Sequence, residues 1–421
     1  MNSKLVLALS ATALASVAAA ADGEMDRPQG IKIGQRMTLR PYVSLSFTYD
    51  SNVDQMKHSD SGSQWIVNPG FDLVYRSDNW SVEGAAWYQY HAYNNYSSQL
   101  NQVNYGEHLK AAWTNSKQDE KGWTLMLTER YQKINQDDDI RTNNGRGIGR
   151  DRDEFSADGI IERRVNEYVH GSLLANYYYL DYDNNVDKYA ALYGWKRTTA
   201  GGELGYAPTK WTDFIVHANY QWYTQDNDFD RNRSEDFDPR GRRISSDSKG
   251  WSVMAGLATH ATEKITYRLL AGWSRFEYAG GAKDIDGWTY QVSANWKYSD
   301  TLSFMLLGSS YYQPSEREYG SAIKVNTLSF GAGKSLVRGK LTATADLAYR
   351  NESHEYVEYA ADDYDENIWT ARFRLNYTLN RYFSFFGGIE YQTEETSGGN
   401  PRGHEYDYDR WRGTLGVRLT Y

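Results

Sequence analysis

The last residues of the chain form a run in which apolar and polar side chains alternate. Apolar residues stand at every second position, at Leu415, Val417, Leu419 and Tyr421. Because successive side chains of a β-strand point to opposite faces, the run predicts a strand with one apolar and one polar face. The strand ends on an aromatic residue. A strand of this kind has to join a sheet whose two faces meet different surroundings.

Similar alternating runs follow one another from residue 38 onward. We expect about 18 of them, within a range of about 16–18, each long enough for a tilted strand to cross a bilayer. The alternation is clearest at 288–298 and 369–377, and least regular at 102–114 and 193–207. The predicted runs are 38–50, 64–76, 80–93, 102–114, 122–133, 152–164, 168–180, 193–207, 212–225, 246–260, 264–277, 285–298, 302–313, 323–336, 339–352, 365–378, 382–394 and 408–421.

The connections between these runs fall into two classes. Short connections follow the even-numbered runs, at 77–79, 165–167, 208–210, 299–301, 337–339 and 379–381. Long connections follow the odd-numbered runs, around 51–63, 134–151, 181–192, 226–245, 353–364 and 395–407. Short turns at one end and long loops at the other are typical of a bacterial membrane barrel. A soluble β-sandwich has no reason to keep its long loops at one end.

The beginning of the chain has the pattern of an export signal. Lys4 precedes an apolar stretch over 5–17, and four alanines follow at 18–21. This order of a charge, a short apolar region and small residues predicts a signal peptide over 1–21. The chain contains no cysteine, so disulfides and thiolate metal ligands are excluded. The exported fold has to be stabilised in another way, and the closed hydrogen bonding of a barrel supplies one.

The composition agrees with a membrane barrel. The chain has 14 Trp, 36 Tyr and 13 Phe, and 36 Gly against 7 Pro. Trp and Tyr concentrate at the two membrane interfaces, and Gly suits curved, tilted sheets in which Pro is poorly tolerated. Aromatic residues stand near run ends, at Trp80, Trp113, Trp123, Trp211, Trp251 and Trp288, with Tyr49, Tyr90, Tyr131, Tyr220 and Tyr391 near the opposite ends. A secreted carbohydrate-binding β protein is the alternative that this composition leaves open.

These features together predict an all-β, transmembrane, antiparallel up-and-down barrel over residues 38–421. We expect a short periplasmic segment over 22–37 before it and a location in the bacterial outer membrane, with periplasmic termini and extracellular long loops. The alternating end of the chain, with Leu415, Val417, Leu419 and Tyr421, resembles the C-terminal assembly signal of outer-membrane barrels. The expected partners are outer-membrane lipid, lipopolysaccharide and the barrel-assembly machinery. The net charge of −9 disfavours nucleic acid.

A barrel of about 18 strands is too wide for side chains to fill, so we expect a hydrated or loop-plugged lumen. The register places many charged residues on the inward face, and six arginines come from its last few strands. Arginine in a pore favours carboxylates and other anions, although pairing with Asp346, Glu390 or Asp409 would make these residues ordinary wall packing. The lumen-lining basic candidates are Arg350, Arg372, Arg374, Arg410, Arg412 and Arg418.

Aromatic residues on the inward register form a second set of candidates. Aromatic faces stack on sugar rings, and they also plug and stiffen lumens, so both roles stay open. The lumen aromatic candidates are Trp87, Tyr178, Tyr223, Phe276 and Tyr311.

The sequence offers no pattern for catalysis, for a cofactor or for a metal. The acidic segment at 226–230 lacks the Gly and Glu of a calcium-binding loop, since Arg231 and Phe237 stand at those positions. The 8 His residues are dispersed without the spacing of a metal site, and no Gly-x-Ser-x-Gly motif is present. We therefore expect a protein that is not an enzyme and that carries no cofactor.

The first run carries a family resemblance. It ends in Tyr49-Asp50-Ser51-Asn52-Val53, and Asn68-Pro69-Gly70 follows after a polar loop. This pattern resembles the putative β-barrel porin 2 family, and the likeness extends in outline over 38–421. The resemblance implies an outer-membrane barrel of a kind often associated with exopolysaccharide or capsule production.

The function expected from the sequence is passage of an anionic polymer across the outer membrane, with exopolysaccharide export as the first choice. Two alternatives remain, a nutrient-uptake diffusion porin and a blocked barrel that acts in adhesion through its surface loops. Polymer exporters of this shape are often single chains, so we expect a monomer.

Overall fold

The computed structural model describes residues 30–53, 61–94, 102–115, 122–134, 151–182, 194–209, 211–225, 247–262, 264–278, 284–314, 322–337, 339–355, 364–398 and 407–421. Within these ranges the chain forms strands and no helix. The strands are β1 (Ile31–Ile33), β2 (Met37–Asp50), β3 (Gly62–Arg76), β4 (Trp80–Tyr93), β5 (Gln102–Thr114), β6 (Gly122–Ile134), β7 (Arg152–Arg164), β8 (Val169–Tyr182), β9 (Trp195–Tyr206), β10 (Thr212–Gln225), β11 (Asp247–Thr262), β12 (Ile265–Tyr278), β13 (Ile285–Lys297), β14 (Leu302–Pro314), β15 (Ala322–Val337), β16 (Leu341–Glu355), β17 (Tyr364–Thr378), β18 (Phe383–Gly398) and β19 (Tyr408–Thr420).

Each strand from β2 to β19 pairs antiparallel with the next, and β19 pairs back onto β2. Of the 19 strands, β1 is a short addition to β2, so the other 18 form a closed barrel. The hydroxyl groups of Thr48 and Thr414 lie 3.0 Å apart across the closing pair of strands. The amide of Tyr421 donates to the carbonyl oxygen of Pro41 at 3.0 Å, so pairing reaches the last residue. The prediction of an all-β, antiparallel, up-and-down barrel with about 18 strands is confirmed.

The connections divide the barrel into two ends. The end with the short turns carries connections such as 77–79, 298–301 and 379–382, and both termini of the barrel lie there. The opposite end, which we call the long-loop end, carries connections such as 135–151 and 226–246. The signal peptide predicted over 1–21, the start of segment 22–37 and the acidic segment 226–230 lie outside the described residues.

The outer face of the barrel is apolar. Leu415 is 71% exposed and Ile389 is 57% exposed, and such side chains recur at every second position around the circumference. Because the pleat alternates, the intervening positions face inward, and they are mostly polar or charged. An apolar belt of this extent is costly in water and stable in lipid. None of the described residues belongs to a helix that could span a membrane.

Exposed aromatic side chains stand at both ends of the outer face. Trp80 and Trp123 lie beside the short turns, where the rings of Trp80 and Trp113 are 6.4 Å apart. At the long-loop end the rings of Trp273 and Trp288 are 5.6 Å apart. Trp251 and Trp288 stand near the start of strands that begin at the long-loop end, so the tryptophans predicted near run ends lie at both ends of the barrel.

The backbones of β11 and β12 approach each other closely at two glycines. A Cβ atom built at Gly256 would lie 1.8 Å from the carbonyl oxygen of Leu269, and one at Gly272 would lie 1.9 Å from the carbonyl oxygen of Val253. Only glycine allows the two backbones to approach this closely. On the inner face beside this approach, Ile215, Met254, Ala258 and Leu270 form a small apolar cluster.

Candidate functional site

The inner wall holds the six predicted arginines on neighbouring strands, where most of them pair with carboxylates. Glu390 of β18 accepts a hydrogen bond from Arg412 Nε at 2.8 Å and another from Arg372 Nε. The Arg372 guanidinium also lies 3.8 Å from Asp346. Because β16, β17, β18 and β19 are consecutive in the wall, this network follows directly from strand order.

Arg410 is the most deeply buried of the six arginines. Its side chain is 0% exposed, and its Nε donates to both oxygens of Asp50, at 3.0 and 2.9 Å. A second guanidinium nitrogen also contacts Asp50 Oδ2. Asp50 stands on β2 and Arg410 on β19, so this ion pair joins the first and last strands of the barrel. It stabilises the pairing of β2 with β19 that closes the wall, and it is inaccessible to a solute.

The remaining three arginines are closer to solvent. Arg350 donates to Glu352 Oε1 at 2.5 Å, and its side chain is 43% exposed. Arg418 lies 3.6 Å from Asp72, and its guanidinium stacks over the Tyr42 ring at 3.7 Å.

Arg374 is exposed on the inward register of β17, and among the described residues no ion pair involves it. Arg374 and Arg418 both stand in the half of the barrel near the short turns. The inner wall is therefore a surface of alternating charges on which Arg350, Arg374 and Arg418 are accessible to a solute.

The hairpin of β14 and β15 leaves the wall at its long-loop end. β13 and β14 pair only from Gln291–Ser309 to Lys297–Ser303, although β13 begins at Ile285 and β14 ends at Pro314. β14 remains paired with β15 to its end, and β15 remains paired with β16. The two sides of the wall thus separate along one line, which we call the β13–β14 seam.

Beyond the seam, the end of β14 packs on the inner face of the strands before it. The Tyr223 hydroxyl of β10 donates to the Tyr312 carbonyl oxygen at 3.1 Å, although β11, β12 and β13 lie between β10 and β14 in the wall. Thr289 of β13 donates to the Ser310 carbonyl oxygen at 2.6 Å. We call the side chains around Tyr312 the aromatic anchor; they are Tyr178, Leu180, Tyr182, Trp195, Tyr223, Phe276, Ile285 and Tyr312. The end of the hairpin therefore lies inside the lumen.

The aromatic anchor contains three of the five predicted lumen aromatics. Tyr223 is 2% exposed and Phe276 is 1% exposed, so neither ring can contact a passing solute. Tyr178 packs against the same cluster, with its ring 4.6 Å from that of Trp195. Trp87 and Tyr311 lie outside the anchor and are half-buried. In the anchor the rings hold the hairpin against the wall.

The inward-facing side chains near the long loops are buried around most of the circumference. On strands outside the anchor, Gln64, Gln102, Gln132, Glu366 and Glu394 are each at most 9% exposed. In the half near the short turns, inward-facing charges such as Glu83 and Arg374 are exposed. The solvent-accessible charged part of the inner wall is thus in the half near the short turns.

Sequence reasoning missed Asp50 as the partner of Arg410, and it missed Trp195 and Tyr312 of the anchor. Asp50 lies on the inward register of the first run, and closure of the barrel brings that run beside the last, so the pair had a detectable signal. Tyr312 had no detectable signal in the sequence, because alternation places its neighbour Tyr311, and not Tyr312, on the inward face. Of the residues predicted to form an assembly signal, Leu415, Leu419 and Tyr421 lie exposed on the outer face, and Val417 is on the same register.

Comparison with known proteins gives one family match. The family described as putative beta-barrel porin 2 matches residues 197–421. No curated protein matches the chain significantly.

The solved structures that resemble this chain in fold include bacterial receptors and transporters. The siderophore receptor PirA from Acinetobacter baumannii has a TM-score of 0.44 and 9% identity, over 93% of this chain and 81% of that one. The FrpB iron transporter from Neisseria meningitidis has a TM-score of 0.44 and 11% identity, over 91% of this chain and 68% of that one. The ferric-catecholate import receptor Fiu from E. coli K12 has a TM-score of 0.42 and 10% identity, over 94% and 82%. These values are too low to bear on function.

Proposed function

Because the chain belongs to the putative beta-barrel porin 2 family, we propose that this outer-membrane barrel conducts an acidic polymer, an exopolysaccharide, through its lumen. In this proposal the short turns and the termini face the periplasm and the long loops face the outside. The apolar belt contacts lipid and lipopolysaccharide, the last strand is recognised by the assembly machinery, and a single chain forms the conduit.

The observation that supports an acidic polymer is the distribution of paired charges on the inner wall. Arg372 and Arg412 share Glu390, so they retain N–H groups for a solute without forming a strongly positive surface. Arg374 and Arg418 add accessible cations on the same side of the lumen. Conduction requires attraction that is sufficient for entry and weak enough for release. A row of partly neutralised arginines meets both requirements for a chain of carboxylates.

A second candidate function is passive uptake of small solutes, and the position of the β14–β15 hairpin favours it. The hairpin end occupies the lumen near the long loops, where Tyr312 is fixed by the aromatic anchor. A constriction at that point admits a small solute more readily than a polymer. If the constriction closed the lumen completely, the barrel would not conduct, and its function would be adhesion through its surface loops.

Planar-bilayer recordings of the purified mature chain distinguish these functions. We expect discrete channels whose current is interrupted by linear polygalacturonate at millimolar concentration or below, and far less by neutral dextran of similar length. Replacing Arg374 and Arg418 with Gln should weaken the polygalacturonate effect by an order of magnitude. Channels that respond to monosaccharides and ignore polygalacturonate would establish uptake, and the absence of any conductance would establish a blocked barrel.

A further inference from the structure

Three side chains that could bind a metal ion converge on the inner wall at the long-loop end of β16 and β17. Glu352 and His354 stand two residues apart on β16, so they share the inward face. Glu366 of β17 lies directly opposite Glu352 in the strand pairing. His354 Nε2 is 3.7 Å from Glu352 Oε2 and 3.6 Å from Glu366 Oε2. One nitrogen and two oxygen atoms therefore lie within 4.8 Å of one another.

Two carboxylates of this cluster are buried close together, and Arg350 pairs with one of them. The side chain of Glu366 is 3% exposed and that of Glu352 is 12% exposed. Like charges that face each other across two strands are destabilising, and burial increases their repulsion. Arg350 engages Glu352 through Oε1, so Oε2, which faces His354, is on the other side of the carboxylate.

The His354 imidazole provides an independent indication of a ligand. The residue is 3% exposed, and its Nε2 atom is buried with no hydrogen-bond partner. The ring stacks on Tyr364, with centroids 4.2 Å apart and planes 8° apart, which fixes the direction of Nε2. Leaving a buried polar atom without a partner carries an energetic cost. An ion bound between the three side chains removes this cost.

We propose that Glu352, His354 and Glu366 bind a divalent transition-metal ion, Zn²⁺ in the first instance. Metal–nitrogen and metal–oxygen bonds of about 2.0–2.2 Å at tetrahedral angles place the ligand atoms roughly 3.3–3.6 Å apart. The two distances from His354 Nε2 are close to this range, so small side-chain movements complete the site. The imidazole favours Zn²⁺ or a related transition metal over Ca²⁺ and Mg²⁺, which prefer oxygen ligands alone.

A bound ion would have two consequences in the lumen. It would cross-link β16 and β17 at the end where the hairpin of β14 and β15 bends inward, because Glu352 pairs with Val325 of β15 on its other side. With three protein ligands, the ion would also keep a position for water or for a donor atom of a solute.

Metal binding by the folded mature chain in detergent tests this proposal. After chelator treatment and dialysis, titration calorimetry with ZnSO4 and elemental analysis should give one Zn²⁺ per chain, with CaCl2 giving no comparable heat. His354→Gln should weaken Zn²⁺ binding by more than about 100-fold, since even loss of a second-shell partner costs 10–100-fold. Glu366→Gln should also weaken Zn²⁺ binding.

The matched control is His91→Gln. His91 is half-buried on the inward face of β4 and contacts the Gln64 side chain at 2.9 Å with no carboxylate beside it, so Zn²⁺ binding should be unchanged. If His354→Gln does not fold, X-ray absorption of the Zn²⁺-loaded wild type should detect one imidazole among oxygen ligands. No stoichiometric Zn²⁺ in the wild type, an unchanged affinity in His354→Gln, or a spectrum without imidazole would each overturn the proposal.

Discussion

The ion pair between Asp50 and Arg410 gives the sharpest test of how the barrel is closed. Replacing Asp50 with Asn removes the negative charge while keeping the size of the side chain. Arg410 Nε contacts both Asp50 oxygens, at 3.0 and 2.9 Å, and a second guanidinium nitrogen contacts Oδ2. In the variant one of these oxygens becomes an NH2 group, which faces donors and cannot accept from them.

The loss of stability expected for Asp50→Asn follows from the burial of this ion pair. Asp50 is 6% exposed and the Arg410 side chain is 0% exposed, so water cannot replace the lost carboxylate. Breaking a buried ion pair by removing one partner costs about 3–5 kcal/mol. Replacing both partners with apolar residues is often close to neutral, so Asp50→Leu combined with Arg410→Met should recover most of the loss.

Urea unfolding in lipid vesicles, followed by tryptophan fluorescence, measures the free energy of unfolding. The control is Asp72→Asn, because Asp72 and Arg418 lie 3.6 Å apart with 42% and 37% of their side chains exposed, and such a pair contributes about 0–1 kcal/mol. The explanation is refuted if Asp50→Asn differs from the wild type by no more than Asp72→Asn does. It is also refuted if the double variant is less stable than the single one.

Other changes test other parts of the barrel. Tyr312→Ala removes roughly 3–5 kcal/mol of buried aromatic packing, so single-channel conductance in planar bilayers should rise; an unchanged value would show that the hairpin end does not limit the current. Leu347→Arg places a charge on the lipid face and should cost about 2–4 kcal/mol in vesicle unfolding, whereas Ala348→Arg on the inward face should cost far less; equal costs would reverse the assignment of faces. Gly272→Ala should reduce the yield of the heat-modifiable folded form, because a Cβ atom would meet a carbonyl oxygen at 1.9 Å; a normal yield would contradict the close approach of β11 and β12. Deleting Tyr421 should lower assembly in cells but not refolding into detergent, and an equal loss in both would indicate a structural role alone.

The strands were predictable because their signal is local. Alternation of period two depends only on neighbouring residues, and the run predicted at 102–114 coincides with β5, Gln102–Thr114. Even the irregular run at 193–207 corresponds to β9, Trp195–Tyr206. Register was also readable, since Trp369 and Phe373 are exposed on the outer face as their alternation requires.

Contacts between residues that are distant in the sequence could not be predicted from such local patterns. His354 and Glu352 have the spacing of one strand face, but the third side chain, Glu366, joins them only through the register of β16 with β17. Tyr312 meets Tyr223 across a separation of 89 residues, and no local pattern indicates it. The dispersed histidines therefore did not indicate a metal site, and alternation selected Tyr311 and not Tyr312.

The β13–β14 seam limits where the hydrocarbon layer can lie. Backbone groups that lose their strand partner are tolerated in a membrane only where protein or water satisfies them. The seam begins beyond Gln291 and Ser309, and the paired rings of Trp273 and Trp288, typical of an interface, stand on the outer face beside it. The hydrocarbon layer therefore ends near this level, and the hairpin of β14 and β15 bends inward in the aqueous part of the barrel. The unpaired backbone along the seam therefore lies in the aqueous part of the barrel and is not exposed to lipid.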